Sequence, residues 1–179
     1  MTLLTLRPNG AGASTQLSKV GDTANYLCVD ETSSDSDTTY VKIVGSEDAA
    51  VTGIDLYALP DHSSESGTIN SVTAVMVAKY VMRISTGAPR IQVNGTNYGN
   101  AAGGLTTSYA TYSQTWATNP NSGVAWTWSD IDALQAGCVL TGARRSGDAR
   151  ATQIYIEVDY TEGGGAAFKQ SRALLGVGW

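Results

Sequence analysis

Four carboxylates fall within the eight residues 30–37: Asp30, Glu31, Asp35 and Asp37. Calcium takes about six to eight oxygen ligands, and the carboxylates and main-chain carbonyls of one loop can supply them. The spacing differs from that of an EF-hand, because no glycine and no closing glutamate follow in step. Asp and Ser side chains also stabilise turns by bonding their own backbone. The segment is therefore either a calcium loop or a capped polar turn, and calcium is the only cofactor that the sequence suggests.

His62 is the only histidine and lies in a polar turn beside Asp61 and Ser63. Adjacent residues do not easily adopt the geometry of a Ser-His-Asp triad, and no serine lies in a Gly-x-Ser-x-Gly elbow. Glu157 and Asp159 share one face of a predicted strand and resemble the paired carboxylates of glycoside hydrolases. Alternation on a solvent-exposed face explains that pattern equally. The sequence therefore predicts a protein that is not an enzyme.

Two tryptophans, Trp126 and Trp128, stand two residues apart. On a strand they would share a face, and an exposed pair would form a platform that stacks on sugar rings. Alternating tryptophans more commonly fill the core of a sandwich, where the indole supplies a large apolar surface. A glycan platform and a core pair both remain open at this point.

The last fifth of the chain combines a strand with an apolar tail. Residues 150–160 alternate apolar and polar side chains with the period of two that a half-buried strand requires. Three glycines, 163–165, follow, and the tail beyond them carries large apolar residues, namely Phe168, Leu174, Leu175, Val177 and Trp179. We interpret residues 1–160 as one domain and 161–179 as a Gly-rich linker and C-terminal docking arm, which indicates assembly rather than catalysis.

The composition favours a sheet protein and excludes several partners. The chain has 179 residues, 42% of them hydrophobic and only 15% charged, with 20 glycines and a net charge of −5. This balance predicts no nucleic-acid partner. No apolar run approaches the ~20 residues of a membrane span, and the N-terminus lacks the basic region of a signal peptide, so we expect neither membrane insertion nor secretion by a leader. Cys28 and Cys138 either pair or remain two buried thiols, and the thiols are the simpler interpretation.

Turn signals separate many short runs rich in Val, Ile, Thr and Tyr. The predicted strands cover residues 2–7, 24–29, 38–44, 51–59, 68–85, 88–93, 107–117, 124–128, 137–145 and 150–160. This spacing is typical of a sandwich or barrel. A slip in alternation near Val75–Val77 predicts a bulge or a bend there. A single helical turn is predicted after Ser129 as N-cap, with Gly137 as its stop.

The order of several segments resembles a jelly-roll, lectin-like sandwich domain of tailed-phage structural proteins. The segments are a strand at 59–74, a tyrosine strand at 105–116, an Asn-Pro turn at 119–123, the Trp-Ser-Asp-Ile turn within 126–137 and a closing strand at 152–160. The resemblance implies an all-β jelly-roll β-sandwich with one short helical turn and an extended C-terminal arm.

The same resemblance implies a role. It predicts a non-enzymatic virion structural protein, a capsid decoration or cement subunit or a tail component, made in the host cytoplasm and acting through self-association and contacts with other virion proteins. The alternative that it leaves open is a carbohydrate-binding, lectin-like module whose partner is a glycan.

Overall fold

The structure is a computed structural model that describes residues 2–163. The predicted arm residues Phe168, Leu174, Leu175, Val177 and Trp179 lie outside the described residues. The described strands are β1 (Thr2–Leu6), β2 (Gly10–Thr15), β3 (Ser18–Val20), β4 (Tyr40–Val44), β5 (Val51–Ala58), β6 (Gly67–Val81), β7 (Thr86–Val93), β8 (Thr96–Tyr98), β9 (Gly103–Gly104), β10 (Ala110–Trp116), β11 (Gln135–Gly142) and β12 (Asp148–Glu162). A 3₁₀ turn, Tyr26–Cys28, and the helix α1, Trp128–Asp132, complete the described elements.

The strands form two antiparallel sheets that pack face to face. Sheet A has the order β10-β6-β12-β4-β3, with β1 also paired to β12, and sheet B has the order β2-β5-β11-β7-β8, with β9 also paired to β7. The predicted all-β jelly-roll sandwich is confirmed. Among the described residues, no helix is long and apolar enough to cross a membrane.

The core lies between the sheets and follows the predicted alternation of β12. Ile154, Ile156 and Val158 are fully buried, whereas the intervening Tyr155 and Glu157 are only half-buried on the outer face. Burying a side chain such as Ile contributes roughly 1.5–3 kcal/mol, so the apolar face of this central strand fixes which side of sheet A faces sheet B.

Cys28 and Cys138 are both buried and free, which confirms two thiols rather than a disulfide. Burial raises the pKa of each thiol. Both therefore behave as small apolar core side chains.

The predicted bulge lies in the partner strand. Ala151 pairs with Ala78 and Gln153 with Val77, so the extra residue is Thr152 of β12. The apparent slip in β6 has another cause. Val75 and Val77 face outward, yet they are only 3% and 9% exposed, because that part of the outer face is covered.

Four local predictions are wrong. The N-cap of α1 is Thr127, whose hydroxyl and main-chain N–H form a capping box with Asp130, and the predicted cap Ser129 lies inside the helix. Gly137, the predicted stop, lies within β11. The predicted strands 24–29 and 124–128 are a 3₁₀ turn and a loop that leads into α1.

Candidate functional site

The two predicted platform tryptophans have packing roles. Trp126 is 4% exposed, and its Nε1 donates to the main-chain oxygen of Trp116 at 3.1 Å. Trp128 is half-buried, because His62 stacks on its ring with centroids 4.9 Å apart and Tyr160 meets it edge-on at 5.1 Å. Neither tryptophan lies on a strand of the described residues, since Trp126 precedes α1 and Trp128 begins it. The core alternative therefore describes Trp126.

We call residues 30–39 the acidic loop. Its Asp37 is held by cations of sheet A. Its carboxylate accepts from Lys79 Nζ at 2.6 Å and from Arg150 Nη1 at 3.0 Å, and it also accepts from the Tyr109 hydroxyl at 3.1 Å. Lys79, and after it Arg150, holds the pKa of Asp37 below its usual range. A carboxylate with these partners is not free to bind calcium.

Glu31 and Asp35 meet at one hydroxyl. Thr39 Oγ1 contacts Glu31 Oε1 and lies 2.9 Å from Asp35 Oδ2, and Thr152 Oγ1 donates to Asp35 Oδ1 at 2.8 Å. Burial raises the pKa of Glu31, and the nearby Asp35 adds to that rise. Burial also raises the pKa of Asp30. Within residues 2–163, no three acidic, His or Cys side chains are arranged to hold a metal ion. The contacts of Glu31, Asp35 and Asp37 favour the capped polar turn over the calcium loop.

The acidic loop instead braces the outer face of sheet A. Gln153 Nε2 donates to the Glu31 carbonyl at 2.7 Å. Arg7 donates to the same carbonyl and to the Thr32 carbonyl. The loop thereby covers the part of the face near Val77 and leaves the neighbouring part accessible.

The accessible part carries two rows of side chains across β10, β6, β12 and β1. One row runs Thr115, Thr73, Glu157, Thr5. The next runs Ser113, Val75, Tyr155 toward Arg7, which follows β1, and in this row Val75 itself is buried between its neighbours. With strands about 4.8 Å apart, four strands span about 14 Å. We call Arg7, Thr73, Thr115, Tyr155 and Glu157 the open face.

The open face joins an aromatic ring to charged and hydroxyl groups. The Arg7 guanidinium lies 4.9 Å from the centroid of the Tyr155 ring, and the hydroxyls of Thr73 and Thr115 are 2.8 Å apart. Partial burial raises the pKa of Tyr155, with the charge of Glu157 adding to it. This arrangement offers one apolar ring, one acceptor carboxylate and several hydroxyls on a single surface.

His62 has a different partner from those that the sequence suggested. Its Nδ1 lies 2.7 Å from Asp132 Oδ1, and its main-chain N–H donates to the same oxygen at 3.0 Å. These two contacts hold the pKa of Asp132 below its usual range. The neighbouring Ser63 bonds Glu65 through both its N–H and its hydroxyl. The histidine therefore anchors the 60–66 loop to α1.

Sequence reasoning placed Tyr155, Glu157 and Asp159 on one outer face correctly but did not find Arg7. The missing information was the pairing of β1 with β12, which sets Leu6 opposite Ile156 and so carries Arg7 toward Tyr155. The only local signal was the position of Arg7 directly after an apolar strand.

Comparison with known proteins gives remote structural likenesses only. No family model matches the chain, and no curated protein matches its sequence. Among solved structures, it is similar to TmCBM61 in complex with β-1,4-galactotriose, at 8% identity and TM-score 0.44 over 84% of this chain and 86% of that one. It is also similar to the family 11 carbohydrate-binding module of the cellulosomal cellulase Lic26A-Cel5E of Clostridium thermocellum, at 13% identity and TM-score 0.38 over 92% of each chain.

A third similar structure is the enzymatically active domain of tailspike protein 4 of bacteriophage CBA120. The identity is 13% and the TM-score 0.42, over 88% of this chain and 19% of that one. At these identities and TM-scores the likenesses are remote, and the fold assignment rests on the strand order and register given above.

Proposed function

We propose that the chain is a non-enzymatic carbohydrate-binding module and that the open face is its glycan site. The observation that carries the proposal is the stack of Arg7 on Tyr155 beside Glu157, on the outward side of a sheet. A sugar ring presents an apolar face and a rim of hydroxyls. An aromatic ring flanked by a carboxylate, a guanidinium and threonine hydroxyls matches both parts of that surface.

The open face is held in place before any ligand arrives. Arg7 is fixed by two carbonyls of the acidic loop, at Glu31 and Thr32, and by the Tyr155 ring. Tyr155 and Glu157 stand on the central strand of sheet A, which has paired neighbours on both sides. Side chains ordered in advance lose less entropy on binding, so a small site of this kind can hold a flexible oligosaccharide.

The absence of catalysis is part of the proposal. His62 contacts Asp132 through Nδ1 and stacks on Trp128, and the main-chain N–H groups of Ser63 and Ser64 donate to Glu65. These contacts support a structural role for the one histidine. A glycan hydrolysis assay on the ligands bound below tests this part directly, and release of reducing ends above the buffer rate would refute it.

The glycan site is tested by calorimetry with Tyr155 variants. A glycan array identifies ligands first, with galactotriose and a β-1,3-1,4-mixed-linked tetrasaccharide as defined probes. Tyr155→Ala should weaken binding about tenfold, since an aromatic contact of about 1.4 kcal/mol is lost. Tyr155→Phe keeps the ring and should stay within about threefold of the parent.

Circular dichroism establishes that each variant is folded. Equal affinity for Tyr155→Ala and the parent would refute the open face as the site, and failure of every arrayed glycan to bind would refute carbohydrate binding.

An assembly role is the second candidate, favoured by the edge of sheet A. β10 is an edge strand, and its seven residues contain no charged residue and no proline. Uncharged edges of this kind pair readily with another chain. The role is that of a virion structural protein, a capsid decoration or tail component made in the host cytoplasm, that associates with copies of itself.

Light scattering tests the assembly role on the full chain and on a chain ending at Gly163, after the last residue of β12. A defined oligomer for the full chain and a monomer for the shorter one support an assembly arm. Two stable monomers would refute self-assembly through residues 164–179.

A further inference from the structure

One end of the sandwich carries a cleft between two loops that the open face does not use. The loops join β6 to β7 and β11 to β12, and the cleft between them has a volume of about 390 Å³. The side chains that matter are one aromatic, two aliphatic and three cationic residues: Tyr80, Met82, Ile84, Arg83, Arg144 and Arg145. We call this the arginine cleft.

The three arginines of the cleft differ from the other arginines in the described part of the chain. Arg7 stacks on Tyr155, Arg90 donates to the Asn100 carbonyl at 2.6 Å, and Arg150 pairs with two aspartates. Arg83, Arg144 and Arg145 are exposed, and none of them forms an ion pair with residues 2–163. In a protein of net charge −5, these three exposed guanidiniums without an ion-pair partner among residues 2–163 therefore line one cleft.

The cleft also exposes apolar side chains. Met82 and Ile84 are 75% and 72% exposed, the highest values among the exposed large hydrophobics of residues 2–163. The half-buried ring of Tyr80 lies beside them. The cleft therefore offers apolar side chains beside its guanidiniums, and a ligand with both an anionic group and an apolar face can contact both.

The loops are cross-linked by hydrogen bonds. Ser85 is buried; its hydroxyl donates to the Arg83 carbonyl at 3.0 Å and accepts from the Ala143 N–H at 3.2 Å, which joins one loop to the other. The Arg145 N–H donates to the Ser46 carbonyl at 2.7 Å. The cationic groups are therefore mounted on a fixed backbone.

Two of these side chains stand on strained backbone. Met82 has φ 75° and Arg145 has φ 61°, a region that residues other than glycine rarely adopt. Backbone strain of this kind is unfavourable and clusters at binding sites. Glycine would relieve it, but it would remove the exposed methionine and guanidinium from the cleft.

We propose that the arginine cleft binds an acidic oligosaccharide, with the guanidiniums on a carboxylate or sulfate group and the sugar ring against Met82, Ile84 and Tyr80. The planar fork of arginine pairs bidentately with such anions. The volume of about 390 Å³ lies in the lower part of the range of small-molecule pockets and can hold a short oligosaccharide. The inference rests on the proposed carbohydrate-binding function and adds a second, charge-selective site.

The test compares two trisaccharides of equal length by calorimetry: neutral galactotriose and a trimer of galacturonic acid. The acidic trimer should bind the parent protein, and raising the salt from 20 to 500 mM should weaken it, because the pairs are exposed. The triple variant R83A/R144A/R145A should weaken it about a hundredfold, because it removes all three guanidiniums that pair with the acidic groups. Because these side chains are exposed, the variant should unfold at the same temperature as the parent.

Two control variants separate charge from geometry. The triple substitution of the same arginines by lysine keeps the charge but loses the fork, and it should recover only part of the affinity. Lys19→Ala removes an exposed cation elsewhere and should change nothing.

Each outcome decides between the two proposals. If Tyr155→Ala loses galactotriose while the triple alanine variant loses only the acidic trimer, both sites stand. If galactotriose binds but the acidic trimer does not, or if the triple variant binds the trimer as the parent does, the cleft proposal is overturned and the open face is untouched. If neither binds and vesicles containing phosphatidylserine capture the parent but not the triple variant, the cleft is a lipid site and the saccharide assignment is wrong.

Discussion

Replacement of Asp55 should destabilise the fold strongly, because this fully buried carboxylate organises one end of sheet B. It accepts four hydrogen bonds: from the main-chain N–H groups of Gln16 and Leu17 at 2.6 and 2.8 Å, from Asn25 Nδ2 at 2.6 Å and from the Tyr57 hydroxyl at 3.0 Å. The carboxylate thus ties the β2–β3 connection and the 3₁₀ turn to β5.

The magnitude follows from what each variant leaves unpaired. Asp55→Ala leaves four donors without their acceptor, at about 1–3 kcal/mol for each donor that stays buried. Water entering the space relieves part of this cost, so we expect a loss of about 4–5 kcal/mol, at the upper end for point mutants. Asp55→Asn keeps one acceptor oxygen but sets an NH₂ group against donors, and should cost about 2 kcal/mol. Tyr57→Phe removes a single donor and should cost about 1 kcal/mol.

Urea unfolding followed by tryptophan fluorescence measures these differences. Asp48→Ala, a change at an exposed acid of the β4–β5 loop, is the control and should stay within about 0.5 kcal/mol of the parent. A loss below about 1 kcal/mol for Asp55→Ala would refute the reasoning, because the four bonds would then contribute no more than ordinary surface contacts. Equal losses of unfolding free energy for the alanine and asparagine variants would also contradict the reasoning, because the oxygen that asparagine retains would then contribute nothing to stability.

Three further predictions concern stability. Burial raises the pKa of Glu31 in the folded state, so the protonated carboxyl stabilises the fold at low pH and this contribution is lost as the pH rises and the group ionises. Glu31→Gln should therefore raise the melting temperature at pH 7 by about 2–4 °C and make no difference below about pH 4. The contact with His62 lowers the pKa of Asp132, so Asp132→Asn should lower the melting temperature at pH 6. The difference from the parent should vanish as the pH falls below about 3, and scanning fluorimetry from pH 2 to 7 measures it. Gly137→Ala would place a Cβ 1.8 Å from a carbonyl oxygen of β5 and should cost about 3 kcal/mol in urea unfolding, whereas Gly103→Ala, with nothing within 4 Å, should be neutral.

The sequence was sufficient for the fold wherever local alternation decides the structure. β12 is the clearest case, since its period of two names the core residues and the outward Tyr155 and Glu157 correctly. The predicted strands do not include β2, β3, β8 and β9. Gly10–Thr15 and Gly103–Gly104 are built from small residues with little apolar alternation, and β3 and β8 have only three residues each. Such strands exist because a neighbour supplies their hydrogen bonds, which local sequence does not record.

The sequence leaves the site alternatives open where a side chain has its partners in distant segments. Trp126 is a core residue whose indole N–H donates to the carbonyl of Trp116. A calcium loop is one of the two interpretations of the segment around Asp37, and its carboxylate is bound by two cations of sheet A. Pairings of this kind depend on register between strands, and a list of carboxylates or tryptophans along the chain does not contain that register.

The distribution of positive charge distinguishes the two proposed sites. Arg7 and Glu157 lie on the same open face, so that surface offers balanced charge beside the Tyr155 ring and suits a neutral glycan. The guanidiniums of the arginine cleft have no acidic partner among the described residues, so a neutral sugar would leave these cations without an ionic partner. A polymer with both neutral and acidic residues would engage both surfaces at once, and linked binding of this kind raises the overall affinity well above that of either site when the geometry permits. The expected signature is a polymer that binds far more tightly than either trisaccharide and loses this gain when either Tyr155 or the three arginines are replaced.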